Sequence, residues 1–295
     1  MNQLKGIFPA VLTPFTENLE VDYEVWKVYL EFLENARVGG LFLFGTNGEG
    51  LLLELEEKKK LLKIAVETIG DRLPILVQVG SMNFQEIRSL VEYAKALEVS
   101  GIVAIAHFYY KLSDDVLIRF FKTIAEIAYP SPFFVYNIPR YTGNSVSVNI
   151  MKKLKDITPN LMGIKDSERS LEKLLQYKFS IGQEFTVMSG TDALIVPSAL
   201  LGIDGTVSAI ADALPELCNA AFSFSIKGNI EKAKQMQRDI LKVREISKSV
   251  SDSRSALKYI LVKRKIFSNC YVRFPLISLS DEEKKKIDSQ ITSYF

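Results

Sequence analysis

Asn160-Leu161-Met162-Gly163-Ile164-Lys165 is a short apolar run that stops at a lysine. It does not alternate apolar and polar residues. It therefore reads as a strand buried on both faces, as strands of parallel sheets are. Runs of the same kind recur at 6–12, 40–44, 74–79, 101–106, 132–136, 185–189 and 205–208, which with 161–165 makes eight. Between them lie amphipathic stretches such as 56–69, 84–97 and 114–128. The last of these sets Val116, Leu117, Phe120, Phe121, Ile124 and Ile127 at helical spacing. Eight strand–helix units in 295 residues predict an α/β fold, a (β/α)8 TIM barrel. A doubly wound open sheet is the competing architecture. It is weakened because no G-x-G-x-x-G follows the first run and no G-x-x-x-x-G-K-[ST] occurs anywhere. After Ser208 the strand-like runs cease, and 214–225, 230–247 and 256–267 read as helices. The expected organisation is a barrel over 1–211 and C-terminal helices over 212–295 packed on it.

Composition narrows the chemistry. The chain is 47% hydrophobic and 24% charged, enough to bury a sizeable core. Its net charge of +2 and dispersed lysines and glutamates imply no nucleic-acid or membrane partner. Two cysteines, Cys218 and Cys270, leave no disulfide framework and fit a reducing compartment. A single histidine, His107, rules out a multi-histidine metal site, so no metal is expected. If the chain is an enzyme, lysine, tyrosine, threonine and carboxylates must do the work. No N-terminal segment has the design of a signal peptide, and no apolar run approaches the ~20 residues that span a bilayer. The expectation is a soluble, cytoplasmic protein.

In a (β/α)8 barrel, catalytic groups come from the C-terminal ends of different strands. The second run leads into Gly45-Thr46-Asn47-Gly48-Glu49-Gly50, whose glycines would let backbone N–H groups turn toward an anion. The fourth leads into His107-Phe108-Tyr109-Tyr110-Lys111, and the fifth into Tyr136-Asn137-Ile138-Pro139-Arg140-Tyr141-Thr142-Gly143. The sixth ends in Lys165. An ammonium at the end of a buried strand is poorly solvated, which lowers its pKa and leaves a nucleophilic amine able to form an imine with a ketone. Tyr136 offers a phenol that can pass a proton. Each residue alone has an ordinary structural role available, since strand-end lysines often just reach solvent. The set of complementary groups at neighbouring strand ends is what points to chemistry.

These motifs together resemble the dihydrodipicolinate synthase/N-acetylneuraminate lyase family of class I, pyruvate-handling aldolases. The resemblance rests on Gly45-Thr46-Asn47-Gly48-Glu49, on 136–143, on Gly163-Ile164-Lys165, on Ser189-Gly190-Thr191-Asp192 and on Gly205-Thr206-Val207-Ser208, with Leu12-Thr13-Pro14-Phe15 at the start. It implies that Lys165 attacks C2 of a 2-oxo acid and that Tyr136 shuttles protons with Thr46 and a tyrosine, best matched by Tyr109. It implies that Thr46 and Asn47 hold the pyruvate carboxylate, and that Gly190 and Val207 line the substrate. No cofactor is implied beyond the covalent imine on Lys165. The aromatic of the 108–110 stretch is expected to reach a neighbouring subunit in a homotetramer, a dimer of dimers.

Two departures bear on the substrate. The synthases' arginine before the motif threonine is here Tyr141, with Arg140 one position earlier. The Asp166-Ser167 after the lysine is similar to the Asp-Thr of 2-keto-3-deoxygluconate aldolases, and Ser167 could contact a polyhydroxylated chain. The expected reaction is cleavage of 2-keto-3-deoxygluconate, or a related sugar acid, to pyruvate and glyceraldehyde. Dihydrodipicolinate synthase, N-acetylneuraminate lyase and a non-catalytic 2-oxo-acid sensor are the alternatives. Arg140 or Lys111 would meet a phosphate if the substrate carries one.

Overall fold

The apolar runs become strands and the amphipathic stretches become helices. The computed structural model describes residues 4–291 and 294. In chain order the elements are β1 (Gly6–Pro9), α1 (Tyr23–Asn35), β2 (Leu41–Leu43), α2 (Leu55–Ile69), β3 (Ile75–Gln78), α3 (Phe84–Ala96), β4 (Gly101–Ile105) and α4 (Asp114–Ala128). They continue with β5 (Phe133–Asn137), α5 (Pro139–Thr142), α6 (Val148–Ile157), β6 (Leu161–Asp166), α7 (Leu171–Ile181), β7 (Thr186–Ser189), α8 (Ile195–Leu200) and β8 (Gly205–Ser208). The chain then runs through α9 (Pro215–Ile226), α10 (Ile230–Lys248), α11 (Ser253–Lys263) and α12 (Asp281–Ile291).

All ladders are parallel, and the sheet order is β1-β8-β7-β6-β5-β4-β3-β2. The two ends of that order meet where Gly39 N–H donates to Ile7 O at 2.7 Å. The architecture is the expected (β/α)8 barrel followed by C-terminal helices. The boundary expected at 211/212 falls between β8 and α9, and α9 packs on α8 and β1.

The side-chain period of 2 along each strand divides the core in two. Outward residues such as Phe133, Val135, Ile164 and Val187 join one apolar layer with the helices. Inward residues, among them Phe8, Phe42, Leu76, Val103, Phe134, Tyr136, Met188 and Val207, fill the barrel. Phe134 fits there only because two strands carry glycine beside it. A Cβ on Gly101 would lie 2.6 Å from its ring, and one on Gly163 2.9 Å.

The C-terminal helices are tied to the barrel mouth. Lys258 of α11 is fully buried and donates to Glu49 Oε1 at 2.6 Å and to Tyr271 O at 2.7 Å. The second Glu49 oxygen accepts from Arg273 N at 2.8 Å. The turn that carries Thr46 and Asn47 is thus clamped from the far end of the sequence. Among the described residues no helix is long and apolar enough to cross a membrane.

Candidate active site

β5 and β6 pair so that Tyr136 and Lys165 are register partners. In-register neighbours of a parallel sheet point to one face, so both side chains enter the barrel mouth. Lys165 is 6% exposed. Its Nζ lies 3.9 Å from the centroid of the Phe42 ring and 3.9 Å from that of Tyr136. Burial lowers its pKa to about 7; Asp212 and Asp192 oppose the shift and Arg140 adds to it. A large share of this amine is therefore unprotonated at neutral pH and able to attack a carbonyl.

The Tyr136 hydroxyl and Thr46 Oγ1 stand 3.4 Å apart, and the Ser167 hydroxyl is near enough to act on the phenol's pKa. Burial raises the Tyr136 pKa, against the lowering effect of both hydroxyls, so the phenol keeps its proton at neutral pH. Its ring meets Phe42 edge-on at 5.8 Å, which fixes the direction of its C–O bond.

Thr46 stands in the turn after β2. The left-handed residues of that turn are Phe44 (φ +59°) and Glu49 (φ +56°), not the glycines. The glycines serve close approach: a Cβ would lie 1.9 Å from Phe44 O on Gly50 and 2.4 Å from Val11 O on Gly48. Among the described residues neither the Thr46 nor the Asn47 backbone N–H has an acceptor. Two adjacent unpaired donors beside a buried amine suit a carboxylate.

A cavity of about 230 Å³ opens at this point. Thr46, Asn47, Tyr136, Arg140, Lys165, Ser167, Gly190 and Val207 all line it. A Cβ on Gly190 would sit 1.9 Å from Ser167 Oγ, so a larger residue there would displace the Ser167 side chain. Two expected residues do not line the cavity. Tyr109 is 83% exposed, packed edge-on against Tyr110. Lys111 reaches sideways, its Nζ donating to Gly143 O at 3.0 Å. His107 lies among Phe108, Tyr110 and Phe120, away from the lysine.

The cavity also holds groups the sequence reading passed over. Arg169, Arg244 and Lys248 join Arg140 at its mouth. Among the described residues none of these four forms an ion pair; Arg254 beside them is paired with Asp252 at 2.5 Å. Partial burial, added to repulsion from the neighbouring arginines, lowers the pKa of Arg169 and of Lys248. Arg169 stands four residues after Lys165, in the short link before Ser170 caps α7, and could have been found from that spacing. Arg244 and Lys248 look in sequence like a solvated helix face. Asp192 also lines the cavity, with Oδ1 accepting from Ser208 Oγ at 2.5 Å and Ile210 N at 3.2 Å. Among the described residues no cluster of three or more His, Cys, Asp or Glu is placed to hold a metal.

A desolvated lysine stands beside a phenol at the C-terminal mouth of a (β/α)8 barrel, and the class of protein is a pyruvate-forming lyase. The chain belongs to the dihydrodipicolinate synthetase family, whose model matches residues 3–294. It is 30% identical to the 4-hydroxy-tetrahydrodipicolinate synthase of Bartonella bacilliformis, over 98% of this chain and 97% of that one. It is 31% identical to the 2-dehydro-3-deoxy-phosphogluconate/2-dehydro-3-deoxy-6-phosphogalactonate aldolase of Sulfurisphaera tokodaii, over 97% and 95% of the two chains. The Sulfolobus 2-keto-3-deoxygluconate aldolase solved in complex with D-KDPG superposes with a TM-score of 0.90 at 29% identity, covering 98% of this chain and 95% of that one.

Proposed function

We propose that the chain is a Schiff-base aldolase that reversibly cleaves a 2-keto-3-deoxy sugar acid of the 2-keto-3-deoxygluconate type to pyruvate and glyceraldehyde. The observation that carries this reading is the Lys165 amine, desolvated between the Phe42 and Tyr136 rings beside the Tyr136–Thr46 contact. The Thr46 and Asn47 amides receive the substrate carboxylate. Lys165 attacks C2, and the carbinolamine loses its hydroxyl as water, with Tyr136 supplying the proton. The C4 hydroxyl gives its proton to Tyr136 as the C3–C4 bond breaks. That electron pair enters the protonated imine and leaves an enamine on Lys165. Protonation at C3 and hydrolysis release pyruvate and free the amine. Tyr109 joins the hydroxyl relay from a neighbouring copy in a homotetramer, as the resemblance implies. No cofactor takes part.

Ser167 and Gly190 suit the hydroxylated part of such a chain, and Tyr141 stands where the synthases carry arginine. The four unpaired cations at the mouth favour a substrate whose far end is anionic, as in the 6-phosphate. Cytoplasmic location follows from the same reading. The second reading is dihydrodipicolinate synthase, favoured by Arg140 in the cavity and by the Bartonella relative.

Turnover with 2-keto-3-deoxygluconate and its 6-phosphate, set against pyruvate plus aspartate semialdehyde, separates the two. Activity with aspartate semialdehyde alone overturns the first reading. A pyruvate adduct trapped by borohydride, with turnover on no aldehyde, identifies a sensor instead.

A further inference from the structure

The link between β6 and α7 alternates in a way that the mechanism above does not use. Lys165, Ser167 and Arg169 line the cavity, while the lining passes over Asp166 and Glu168 between them. The side-chain period of 2 thus carries on past the strand, with every second residue turned to the back of the barrel. Asp166 is buried there. Its Oδ2 accepts from Asn137 Nδ2 at 2.7 Å, and its Oδ1 accepts from Glu168 N at 2.7 Å. The Tyr177 hydroxyl, which donates to Val146 O at 2.5 Å, lies 3.2 Å from the same Oδ2. Asn137 is the register partner of Asp166, and its own Oδ1 accepts from Val146 N at 3.0 Å.

Glu168 is held on the same side. One carboxylate oxygen accepts from Ser145 Oγ at 2.5 Å, and the other lies 2.5 Å from Lys173 Nζ. Lys173 Nζ is also 3.8 Å from Asp166 Oδ2, so one cation joins both carboxylates. This lysine stands in the first turn of α7, where its backbone N donates to the capping Ser170 Oγ at 3.1 Å. Arg169 turns left-handed at φ +67°, a conformation that a side chain this large adopts at a cost. A buried carboxylate behind β6 also costs more than an apolar residue packed in its place. Packing alone would select neither.

We propose that Asp166, Glu168 and Lys173 are positioning residues: anchored behind the link, they aim the Ser167 hydroxyl and the Arg169 guanidinium at the part of the substrate beyond its pyruvate end. This rests on the reading of the cavity as the site of a sugar acid joined to Lys165. Without Lys173, Asp166 and Glu168 meet as like charges and push the link off its anchor. The imine-forming end is spared, since Lys165 belongs to the ladders of β6 with β5 and β7. The fit of the far end is what suffers. Pyruvate, with three carbons, has no far end to lose.

Lys173→Met removes the cation, and Glu168→Gln is a milder second variant at a partly exposed side chain. For the 6-phosphate of 2-keto-3-deoxygluconate, KM should rise about tenfold in Lys173→Met, the loss of one charge-assisted contact, with kcat changed far less. Glu168→Gln should shift KM in the same direction. The pyruvate concentration that half-saturates borohydride trapping at Lys165 should stay at its wild-type value in both, whereas general damage to the fold would move it too. A wild-type KM in both variants, or a pyruvate half-saturation that rises in step with KM, overturns the proposal. Hydrogen exchange needs no substrate. The Ser167 and Glu168 amides should exchange about tenfold faster in Lys173→Met, while those of 163–165 keep their rate. Unchanged exchange at Ser167 and Glu168 overturns the proposal as well. Failure of the wild-type protein to form any pyruvate adduct at Lys165 overturns the parent reading instead.

Discussion

Replacing Lys165 by methionine should abolish turnover and yet make the protein more stable at neutral pH. The unfolded chain holds this lysine protonated at pH 7, whereas in the fold its pKa is about 7. Between pH 7 and the ordinary lysine value, the unfolded state binds more protons than the folded one. Stability therefore rises with pH through that window, and the penalty is largest at and below pH 7. At about 1.4 kcal/mol per pKa unit the mismatch is about 4 kcal/mol at pH 7. Relaxation of the buried site brings the expected gain to about 2–4 kcal/mol, because methionine fills a similar volume without a charge. Urea denaturation of both proteins at pH 7 and pH 10 measures it: the variant's advantage should be present at pH 7 and largely gone at pH 10. A variant no more stable than its parent at pH 7, or one with the same difference at both pH values, would refute the claim that the amine is desolvated.

Two further outcomes follow from the geometry. Tyr136→Phe keeps the ring against Phe42 and Lys165 but removes the hydroxyl, so kcat should fall by about 10²–10⁴-fold while the fold is kept; an unchanged kcat would remove the phenol from the proton path. Lys258→Met leaves Glu49 buried without its cation and should cost about 3–5 kcal/mol in thermal or chemical denaturation, with much of the loss recovered when Glu49→Gln is added; a double variant no better than the single one would mean that the pair does not act as a unit.

The strands were legible because burial on both faces leaves few polar residues to interrupt them. The 114–128 helix was read with its observed limits, since its apolar stripe spans its whole length. The first run was read too long: it continues as an apolar sequence to Leu12, but pairing with β8 ends at Pro9. The helix over 281–291 falls in the stretch read as helical but was not delimited, as its mostly charged surface shows little apolar stripe. At the site, residues projecting from strand ends were found because a barrel gathers those ends at one mouth. Lys111 was misplaced for the opposite reason: it lies on a loop whose course is set by contacts with Gly143 and Asn144 rather than by the barrel. Arg244 and Lys248 reach the site through tertiary packing of α10, which no local pattern records.

The Glu49–Lys258 contact joins residues 209 positions apart. On the ribosome this separation becomes an interval of time. A nascent chain that has already made all eight strands still lacks both Lys258 and Arg273, the two donors that hold Glu49. Assembly of the Thr46–Asn47 turn is thereby linked to the arrival of α11, and the same tail brings to the mouth the Arg244 and Lys248 that line it.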